Sequence, residues 1–291
     1  MSVNIYSKIG LVLINFYSEK AILDYFLRNN IVSLCDEIVI VNNGSDSEKE
    51  FECIKKISDK ITIINAGENI GYAKANNIGI RELINKRVDY IIISNNDVEV
   101  RRNSVLACIE VLKKSNKIGS VAPRMQNADG TTVPLRYIPL GYKRLFLRVF
   151  IPETFIDNKT QSKLSMNNGV IEQSFLPGSF FVISAKAAKD CNGFDSGTFL
   201  YREEEILNKR LSKLGYKQAV LVNYCYKHLH KYKQESAKSR FKSCRILMES
   251  ERLYFKKYLN ANNFQMGLVR LLQWMYVGVR YLSWKKDEKE Q

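Results

Sequence analysis

Short apolar runs alternate with amphipathic stretches through the first hundred residues. The runs are nearly continuous and rich in β-branched residues, which is typical of strands buried on both faces of a parallel sheet. The stretches between them have helical periodicity, so the alternation predicts a βαβαβ unit. The predicted strands are Ile9 to Asn15, Glu37 to Asn43, Lys60 to Asn65 and Tyr90 to Asp97, and the predicted helices are Glu19 to Asn29, Glu48 to Ser58 and Ala73 to Asn85.

The pattern after residue 100 is less regular. A helical period from Val100 to about Ser115 precedes the strand-like stretch KIGSVAPRM. Thr131 to Asn168 contains three prolines among aromatic and basic residues, which predicts a long, partly ordered loop facing the substrate. Strand character returns in QSFLPGSFFVIS and KQAVLVNYCYKHLH, and the chain from Ser236 onward has a helical pattern. We expect an α/β fold with a mostly parallel central sheet flanked by helices, followed by a helical basic extension.

The composition shows a large positive net charge, which indicates an anionic binding partner or location. The 291 residues carry a formal net charge of +15, and 45% of them are apolar, which is enough for a sizeable core. Lys231 to Gln291 contains 14 Lys and Arg against 6 Asp and Glu, so much of the excess lies at the C-terminal end. A basic end can attract nucleic acid, anionic lipid or an acidic substrate. We expect no nucleic-acid partner, because the chain has no recognisable nucleic-acid-binding motif.

Cysteine spacing and the length of apolar runs predict the compartment. The six cysteines form no C-x-x-C pair and no metal-type spacing, which indicates thiols in a reducing compartment. The N-terminal stretch has one short apolar run and no cleavage site of small residues, as expected of a first strand and not of a signal peptide. Because no run reaches about 18 uncharged apolar residues, no membrane-spanning helix is predicted. We expect a cytoplasmic protein.

Asparagines stand at the ends of predicted strands, at Asn15, Asn42 and Asn65. In open α/β sheets, ligands bind at the carboxyl ends of the strands. Any one of these residues is explained equally by capping of a turn or helix. The set as a whole favours a polar ligand at this edge of the sheet.

The fourth predicted strand ends in SNND, residues 94–97. The carboxylate of Asp97, with the amide of Asn95 two residues before it, can hold a hard divalent cation that also binds substrate phosphates. As an alternative, Asp97 is the N-cap of the following helix.

The stretch NIGYAKANNIG, residues 69–79, matches neither the G-x-G-x-x-G pattern nor the Walker A pattern. Gly71 suits a tight turn after the third strand. Asn76 and Asn77 lie early in the next helix, where side chains and free backbone N–H groups can meet a ligand. A capped helix start explains each of these residues singly.

Three consecutive glutamates open the stretch EEEILNKR. If Leu200 to Gly215 is a helix, Glu203 and Glu204 flank its apolar stripe, whereas Glu205 points away and can pair with Lys209. The glutamates are either a favourably charged first turn or the source of a catalytic base, and the periodicity does not choose between Glu203 and Glu204. The apolar stripe consists of Leu207, Leu211 and Leu214.

His228 and His230 are the only histidines of the chain, and the strand pattern places both on one face with Val222, Tyr224 and Tyr226. A structural role accounts for either histidine alone.

Taken in order, several of these motifs resemble family-2 glycosyltransferases, and most closely the bacterial rhamnosyltransferase-like and polysaccharide-cluster members. The motifs are VIVNNGSDSE, NIGYAKANNIG, IIISNNDVEV, PGSFFVIS and CNGFDSGTFLYREEEIL, followed by the histidines, and they span about Ile9 to Ser236. The resemblance implies a GT-A fold and inverting transfer from a nucleotide-sugar donor to a glycan or lipid-linked glycan acceptor. It also implies a catalytic domain at residues 1–235, with a nucleotide-sugar half at 1–100 and an acceptor half at 101–235, and an extension at 236–291.

The resemblance further implies roles for individual residues. Asp97 matches a ligand of Mn²⁺ or Mg²⁺, and His230 or His228 falls where relatives complete the metal site or contact the diphosphate. Glu204 matches the base that deprotonates the acceptor hydroxyl, with Glu203 supporting it. Donor-binding positions implied in the same way are Asn15, Asn42, Gly71, Lys74, Asn76, Asn95 and Asn96. Asn42 stands where the family usually has Asp. Ala75 stands where relatives often have Arg, and Lys74 can supply the phosphate or ribose contact of that Arg.

A different nucleotide-sugar enzyme, such as a nucleotidyltransferase, is the main alternative. It would need a glycine-rich basic loop after the first strand, and INFYSEK contains no glycine.

The C-terminal stretch from Phe264 to Trp284 repeats apolar residues at helical spacing, with Arg270, Arg280, Lys285 and Lys286 beside or after them. This pattern predicts an amphipathic helix on an anionic membrane surface. A helix packed on the catalytic domain or on a second subunit of a homo-oligomer has the same pattern. A lipid-linked acceptor favours the membrane, at its cytoplasmic face. The repeated residues are Phe264, Leu268, Leu271, Leu272, Met275, Val279 and Leu282.

Overall fold

The computed structural model describes residues 7–44, 48–135, 140–151, 169–173, 175–230 and 236–289. Nine strands in these residues form one sheet in the order β3-β2-β1-β4-β8-β6-β9-β5, and β7 also pairs with β9. The strands are β1 (Ile9–Asn15), β2 (Glu37–Asn42), β3 (Ile61–Asn65), β4 (Tyr90–Ser94), β5 (Val98–Val100), β6 (Ile118–Asn127), β7 (Val170–Gln173), β8 (Phe180–Ser184) and β9 (Lys217–His228).

Helices cover both faces of the sheet, and the last helices of the chain follow its last strand in the sequence. They are α1 (Glu19–Arg28), α2 (Glu48–Lys55), α3 (Tyr72–Asn85), α4 (Arg102–Lys114), α5 (Tyr142–Phe150), α6 (Ala185–Asp190), α7 (Glu203–Lys213), α8 (Ala237–Leu253) and α9 (Asn263–Lys289), with a π-helical turn (Tyr254–Tyr258) after α8. The predicted α/β class, a central sheet flanked by helices, is confirmed.

The pairing of strands changes halfway across the sheet. Strands β1 to β4 are parallel to one another, as the βαβαβ pattern predicts. Strand β8 is antiparallel to both β4 and β6, while β6 and β9 run parallel. Strands β5 and β7 join β9 in antiparallel pairs.

Alternate side chains of the central strands enter two separate cores. Leu11 and Leu13 of β1 pack with α1, α2 and α4, whereas Val12 packs on the opposite face with α3, α6 and α7. Because both faces are covered, neither set can be polar, which explains the nearly continuous apolar runs.

A third core joins the C-terminal helices to the rest of the molecule. Leu145 and Val149 of α5 and Ile206 of α7 pack with Tyr254, Phe255 and residues of α9. Helix α5 lies within the segment predicted to be a loop, so that prediction is wrong for residues 142–150. The helix is short and amphipathic, and its pattern is hard to recognise among the surrounding prolines and basic residues. Residues 136–139 and 152–168 of the same segment lie outside the described residues. The predicted domain boundary at residue 235 stays a prediction.

Strand β9 contains an irregularity that the sequence pattern does not reveal. Its register against β6 shifts between Pro123 and Arg124, which pair with Leu221 and Cys225. The three extra residues of β9 interrupt the alternation of faces, so Tyr224 is exposed while Tyr226 is buried. The predicted single alternating face from Val222 to the histidines is therefore wrong.

None of the helices in the described residues is long and apolar enough to cross a membrane. All six cysteines are free thiols.

Candidate active site

The asparagines at the strand ends meet at one edge of the sheet, but their side chains mainly bind protein. Asn15 lies beside Asn42 in the parallel register. The Asn15 amide donates to Glu19 at 3.0 Å and its carbonyl oxygen accepts the backbone N–H of Ser18 at 3.2 Å, so Asn15 shapes the turn into α1. Asn42 is buried beside it, with its Oδ1 atom 3.4 Å from the Asn15 amide. The predicted donor contacts of Asn15 and Asn42 stay predictions.

The start of α3 is held against the loop that precedes the glutamates. Gly71 has a positive φ of 85°, and a Cβ atom there would lie 2.4 Å from the carbonyl oxygen of Phe199. The N–H of Tyr72 donates to that same oxygen at 2.9 Å. A side chain at position 71 would therefore displace the Phe199 loop, so Gly71 has a structural role whatever it binds. Lys74 on the next turn is exposed.

The two asparagines of α3 differ in their contacts. The Asn76 amide donates to the carbonyl of Tyr72 at 3.2 Å, within its own helix. Asn77 makes a pair of 2.9 Å hydrogen bonds with the backbone of Phe194. Asn77 therefore fixes the loop before the glutamates, whereas the predicted donor contact of Asn76 stays a prediction.

Asp97, His228 and His230 converge on one point, although 131 residues separate Asp97 from His228. The Asp97 Oδ1 atom lies 3.2 Å from His228 Nε2, and Oδ2 lies 3.4 Å from His230 Nδ1. One potential ligand atom from each residue lies within 4.8 Å of the others. Oδ1 and His228 Nε2 are buried, yet neither forms a well-angled hydrogen bond within the described residues. A carboxylate oxygen and an imidazole nitrogen that lie this close together are both atom types that ligate a transition-metal cation.

Backbone pairing brings these three residues together. Strand β5 begins directly after Asp97, and its Val98 pairs with His228 of β9. The N–H of Leu229 donates to the Asp97 carbonyl at 2.8 Å. Helix α4 begins only at Arg102, with Arg101 as its N-cap, so the alternative role of Asp97 as that cap is wrong. Burial alone would raise the pKa of the Asp97 carboxyl, but the two imidazoles outweigh it and hold that pKa below its ordinary value.

The neighbouring residues Asn95 and Asn96 occupy different positions. Asn95 lines a cavity, and its N–H donates to the carbonyl of Ser179 at 2.8 Å. The Asn96 amide donates to the Ser18 hydroxyl at 2.7 Å. Of the two, Asn95 is therefore the better placed to meet a ligand.

This cavity has a volume of about 550 Å³, and both Glu204 and His228 line it. The Glu204 Oε1 atom accepts the backbone N–H of Gly178 at 3.1 Å. A Cβ atom at position 178 would lie 2.5 Å from that oxygen, so a larger residue there would make the carboxylate shift. The Tyr72 hydroxyl donates to the Gly178 carbonyl at 2.6 Å and holds the turn from the other side. Tyr72, Gly178 and Ser179 were not predicted as site residues; only the PGS turn before β8 marked this place in the sequence.

Glu203 differs from Glu204 in its environment. Its side chain is 3% exposed, and its Oε1 atom has no hydrogen-bond partner within the described residues. Burial, followed by the adjacent Glu204 carboxylate, raises the pKa of Glu203 from 4.5 to about 8. Glu203 therefore holds a proton at neutral pH, which removes the repulsion between neighbouring carboxylates that Glu204 would otherwise experience.

We predict that Glu203 makes the fold less stable as the pH rises from about 4.5 to about 8. Over that range the unfolded chain loses the proton while the folded chain keeps it, so the free energy of unfolding falls with pH. Glu203→Gln should remove this loss, and its melting temperature should exceed that of the wild type more at pH 8.5 than at pH 5. Thermal unfolding at both pH values measures the difference, with Glu52→Gln on the exposed side of α2 as the control. An equal difference at both values would contradict the prediction.

Glu205 does not point to solvent, so that prediction is wrong. It is 7% exposed and binds Arg202 through a 2.8 Å contact between Arg202 Nη1 and its Oε1 atom. Helix α7 begins only at Glu203, after Tyr201 and Arg202 with positive φ angles of 75° and 69°. The helix is buried on two sides, because Ile206 packs with the C-terminal helices while Leu207 and Leu211 face the sheet. The predicted core residue Leu214 is 50% exposed.

Four buried polar residues connect the glutamates to the C-terminal helices. The Glu251 carboxylate on α8 receives both terminal nitrogens of Arg148 on α5, at 2.5 and 2.7 Å. It also accepts a hydrogen bond from Arg202 Nη2 at 2.8 Å and another from the Gln273 amide of α9 at 2.9 Å. Burial alone would raise the pKa of Glu251, but Arg202 and Arg148 outweigh it and hold the pKa below its ordinary value.

Comparisons with known proteins agree with this architecture. The chain is 25% identical over 185 residues to the low-salt glycan biosynthesis hexosyltransferase Agl10 of Haloferax volcanii, covering 60% of this chain and 57% of that protein. It therefore spans a little over half the length of the archaeal relative. It is also 25% identical over 217 residues to an N-acetylglucosaminyl-diphospho-decaprenol L-rhamnosyltransferase of Mycobacterium tuberculosis, covering 69% of each chain.

Solved structures with the same fold include glycosyltransferases bound to Mn²⁺. One is GalNAc-T7 with UDP, GalNAc and Mn²⁺, at a TM-score of 0.60, 13% identity and coverage of 86% of this chain and 48% of that one. Another is the mannosyltransferase PcManGT of Pyrobaculum calidifontis with GDP-Man and Mn²⁺, at a TM-score of 0.57, 11% identity and coverage of 94% and 73%. These likenesses confirm the GT-A fold.

A family model matches the first part of the site. The model described as glycosyl transferase family 2 matches residues 11–192, from β1 to just beyond α6. It includes Asp97 and Gly178 and ends before the glutamates and the histidines. Since the match covers more than half of the chain, this protein belongs to glycosyl transferase family 2, which confirms the resemblance noted in the sequence.

Proposed function

We propose that the protein is an inverting, metal-dependent transferase that moves a sugar from a nucleotide-sugar donor to a hydroxyl of a glycan acceptor. One observation carries the proposal: Glu204, a carboxylate, and His228, from the Asp97 and histidine cluster, line the same cavity. Transfer with inversion needs a base for the acceptor hydroxyl and positive charge for the leaving diphosphate, within reach of one reacting carbon. The cavity brings candidates for both together.

Asp97, His228 and His230 are the residues that would hold the cation. Two imidazoles and one carboxylate suit Mn²⁺ better than Mg²⁺, because Mg²⁺ prefers oxygen ligands. When bound, the ion supplies positive charge that stabilises the leaving diphosphate. Asn95, on the same loop, faces the cavity beside this cluster.

Glu204 is the proposed base. The hydrogen bond from Gly178 holds the carboxylate at the wall of the cavity, where it can accept the proton of the acceptor hydroxyl. Glu203 supports it by holding its own proton, so that the two side chains do not repel each other. The displacement is a single step at the anomeric carbon, with the hydroxyl entering opposite the departing diphosphate.

Donor binding is assigned to the edge of the sheet formed by β1, β2, β4 and the start of α3. Asn95 lines the cavity, and Lys74 is exposed to solvent. The buried asparagines and Gly71 shape the surface on which the donor lies. The full proposed set is Asn15, Asn42, Gly71, Lys74, Asn76, Asn95 and Asn96.

The acceptor is proposed to be a lipid-linked glycan, because the mycobacterial relative is named for an acceptor of that kind. Helix α9 supports this assignment. Its Tyr276 lines the catalytic cavity, while Phe264, Leu268 and Leu271 on other faces are exposed. We propose that the protein works at the cytoplasmic face of a membrane, with α9 at the surface of the bilayer.

We expect Asp97→Asn to lose the metal-dependent part of donor binding. A panel of nucleotide-sugars should include one that raises the melting temperature of the wild type only in the presence of Mn²⁺, and the variant should lose that increase. The amide keeps the size of the side chain but not the charge that attracts the cation. Asp59→Asn, on an exposed turn before β3, is the matched control. If no nucleotide-sugar stabilises the wild type with Mn²⁺, the proposed function is wrong; if Asp97→Asn keeps the full increase, the metal site is wrong.

A further inference from the structure

A second cavity lies between the end of α8 and the beginning of α9. Its volume is about 590 Å³, and it shares no lining residue with the catalytic cavity. The walls combine basic side chains with two apolar ones. The lining residues are Arg252, Leu253, Lys256, Lys257, Asn263, Met266 and Arg270.

The charge of this cavity is positive and largely uncompensated. Four of its seven lining residues are cations and none is an acid. Lys257 is paired with Asp195 at 2.7 Å, and Arg252 donates to the neutral amide of Gln273 at 2.9 Å. Within the part of the chain that the structure describes, Lys256 and Arg270 form no ion pair. Since only Lys257 of the four cations is paired with a carboxylate within the described residues, the cavity is suited to an anion.

An uncharged apolar face runs along α9 beside this cavity. At about 100° per residue, the exposed half of the helix from residue 264 to 281 is centred on Leu271, and Arg270 lies at its edge. The side chains of Phe264, Leu271 and Trp274 are 84%, 57% and 58% exposed. The opposite half is buried against α5 and α8. The exposed half consists of Phe264, Gly267, Leu268, Leu271, Trp274, Met275, Gly278, Val279 and Tyr281.

We propose that the basic cavity binds the phosphate of an anionic phospholipid while the apolar face of α9 lies in the outer part of the same bilayer. The occupant must present a negative group and an apolar surface side by side. A second copy of this chain fits poorly, because it brings another net charge of +15 to a basic surface. A phospholipid bilayer presents phosphates at the level of the cations and acyl chains at the level of the aromatic and aliphatic side chains. The inference rests on the proposed membrane location and not on the transfer chemistry.

The test is binding of the full chain to vesicles by co-sedimentation. We expect the wild type to bind vesicles of equal parts phosphatidylglycerol and phosphatidylcholine, and to bind phosphatidylcholine alone much more weakly. Each cation near an anionic surface contributes about fivefold to binding, so Lys256→Gln with Arg270→Gln should weaken it about 25-fold. The matched control, Lys55→Gln with Lys56→Gln at the end of α2, removes the same charge elsewhere. Leu271→Ser with Trp274→Ser should also weaken binding.

Three results would overturn the proposal. The first is failure of the wild type to bind the anionic vesicles. The second is an equal loss of binding in the cavity variant and the α2 control, which would make the attraction a property of net charge alone. The third is displacement of the protein from vesicles by millimolar inorganic phosphate at constant ionic strength, which would indicate a site for free phosphate. Stabilisation by donor and Mn²⁺, measured on the same samples without lipid, separates failure of this proposal from failure of the proposed function.

Discussion

Glu204→Gln is expected to lower the rate of sugar transfer by about 10²- to 10⁴-fold while donor binding stays unchanged. The amide has the size of the carboxylate and can keep the contact with Gly178 through its carbonyl oxygen. It cannot accept the proton of the acceptor hydroxyl, because its pKa is far too low. The loss should therefore fall on kcat and leave the stabilisation by nucleotide-sugar and Mn²⁺ intact.

Two further variants decide whether the effect belongs to Glu204. Glu203→Gln replaces a side chain that already holds a proton near neutral pH, so its loss of activity should be much smaller. Glu52→Gln on α2 controls for the loss of one surface charge. Steady-state kinetics with a saturating donor measures all three. Full activity in Glu204→Gln would exclude it as the base, and a larger loss in Glu203→Gln would transfer that role to Glu203.

Glu251→Gln is expected to lower the free energy of unfolding by about 3–5 kcal/mol at neutral pH. Glu251 is fully buried and is the shared partner of Arg148 and Arg202, which are themselves buried. The amide leaves two guanidinium groups inside the protein without a compensating charge from this position. Surface ion pairs are worth far less, so the exposed neighbour Glu249→Gln should change stability by less than about 1 kcal/mol.

The same variant has a predictable pH dependence. The pKa of Glu251 is lower in the folded protein than its ordinary value of 4.5, so its carboxylate stabilises the fold above that value. As the pH falls through the lowered pKa, this contribution is lost. The difference between the wild type and Glu251→Gln should therefore shrink in acid. Urea unfolding at pH 7 and pH 4 measures it, and a difference that stayed constant or grew would show that the ionic interaction is not the cause.

The residues of the candidate active site differ in how well the local sequence pattern predicts their positions. Asp97 follows a buried strand, so its place at the sheet edge could be predicted from the sequence. The histidines lie far along the chain, and only the pairing of β5 with β9 brings His228 within 3.2 Å of Asp97. Gly178 could not be predicted as a site residue, because nothing in a single glycine indicates which carboxylate approaches it.

The sequence by itself determined the α/β class, the order of strands and helices from β1 to β4, the polar strand ends and the helical spacing of apolar residues along α9. The strands follow from nearly continuous apolar runs and the helices from a periodicity of about 3.6, and both are local properties of the chain. Tertiary structure alone decided the environment of the three glutamates. Helix α7 has two partner surfaces, so Glu205 is buried where a single-stripe pattern places it in solvent. The second partner is the C-terminal helices, where Glu251 lies some 50 residues along the chain from Arg202. A pattern of apolar residues within one helix does not reveal a partner so far away in the sequence.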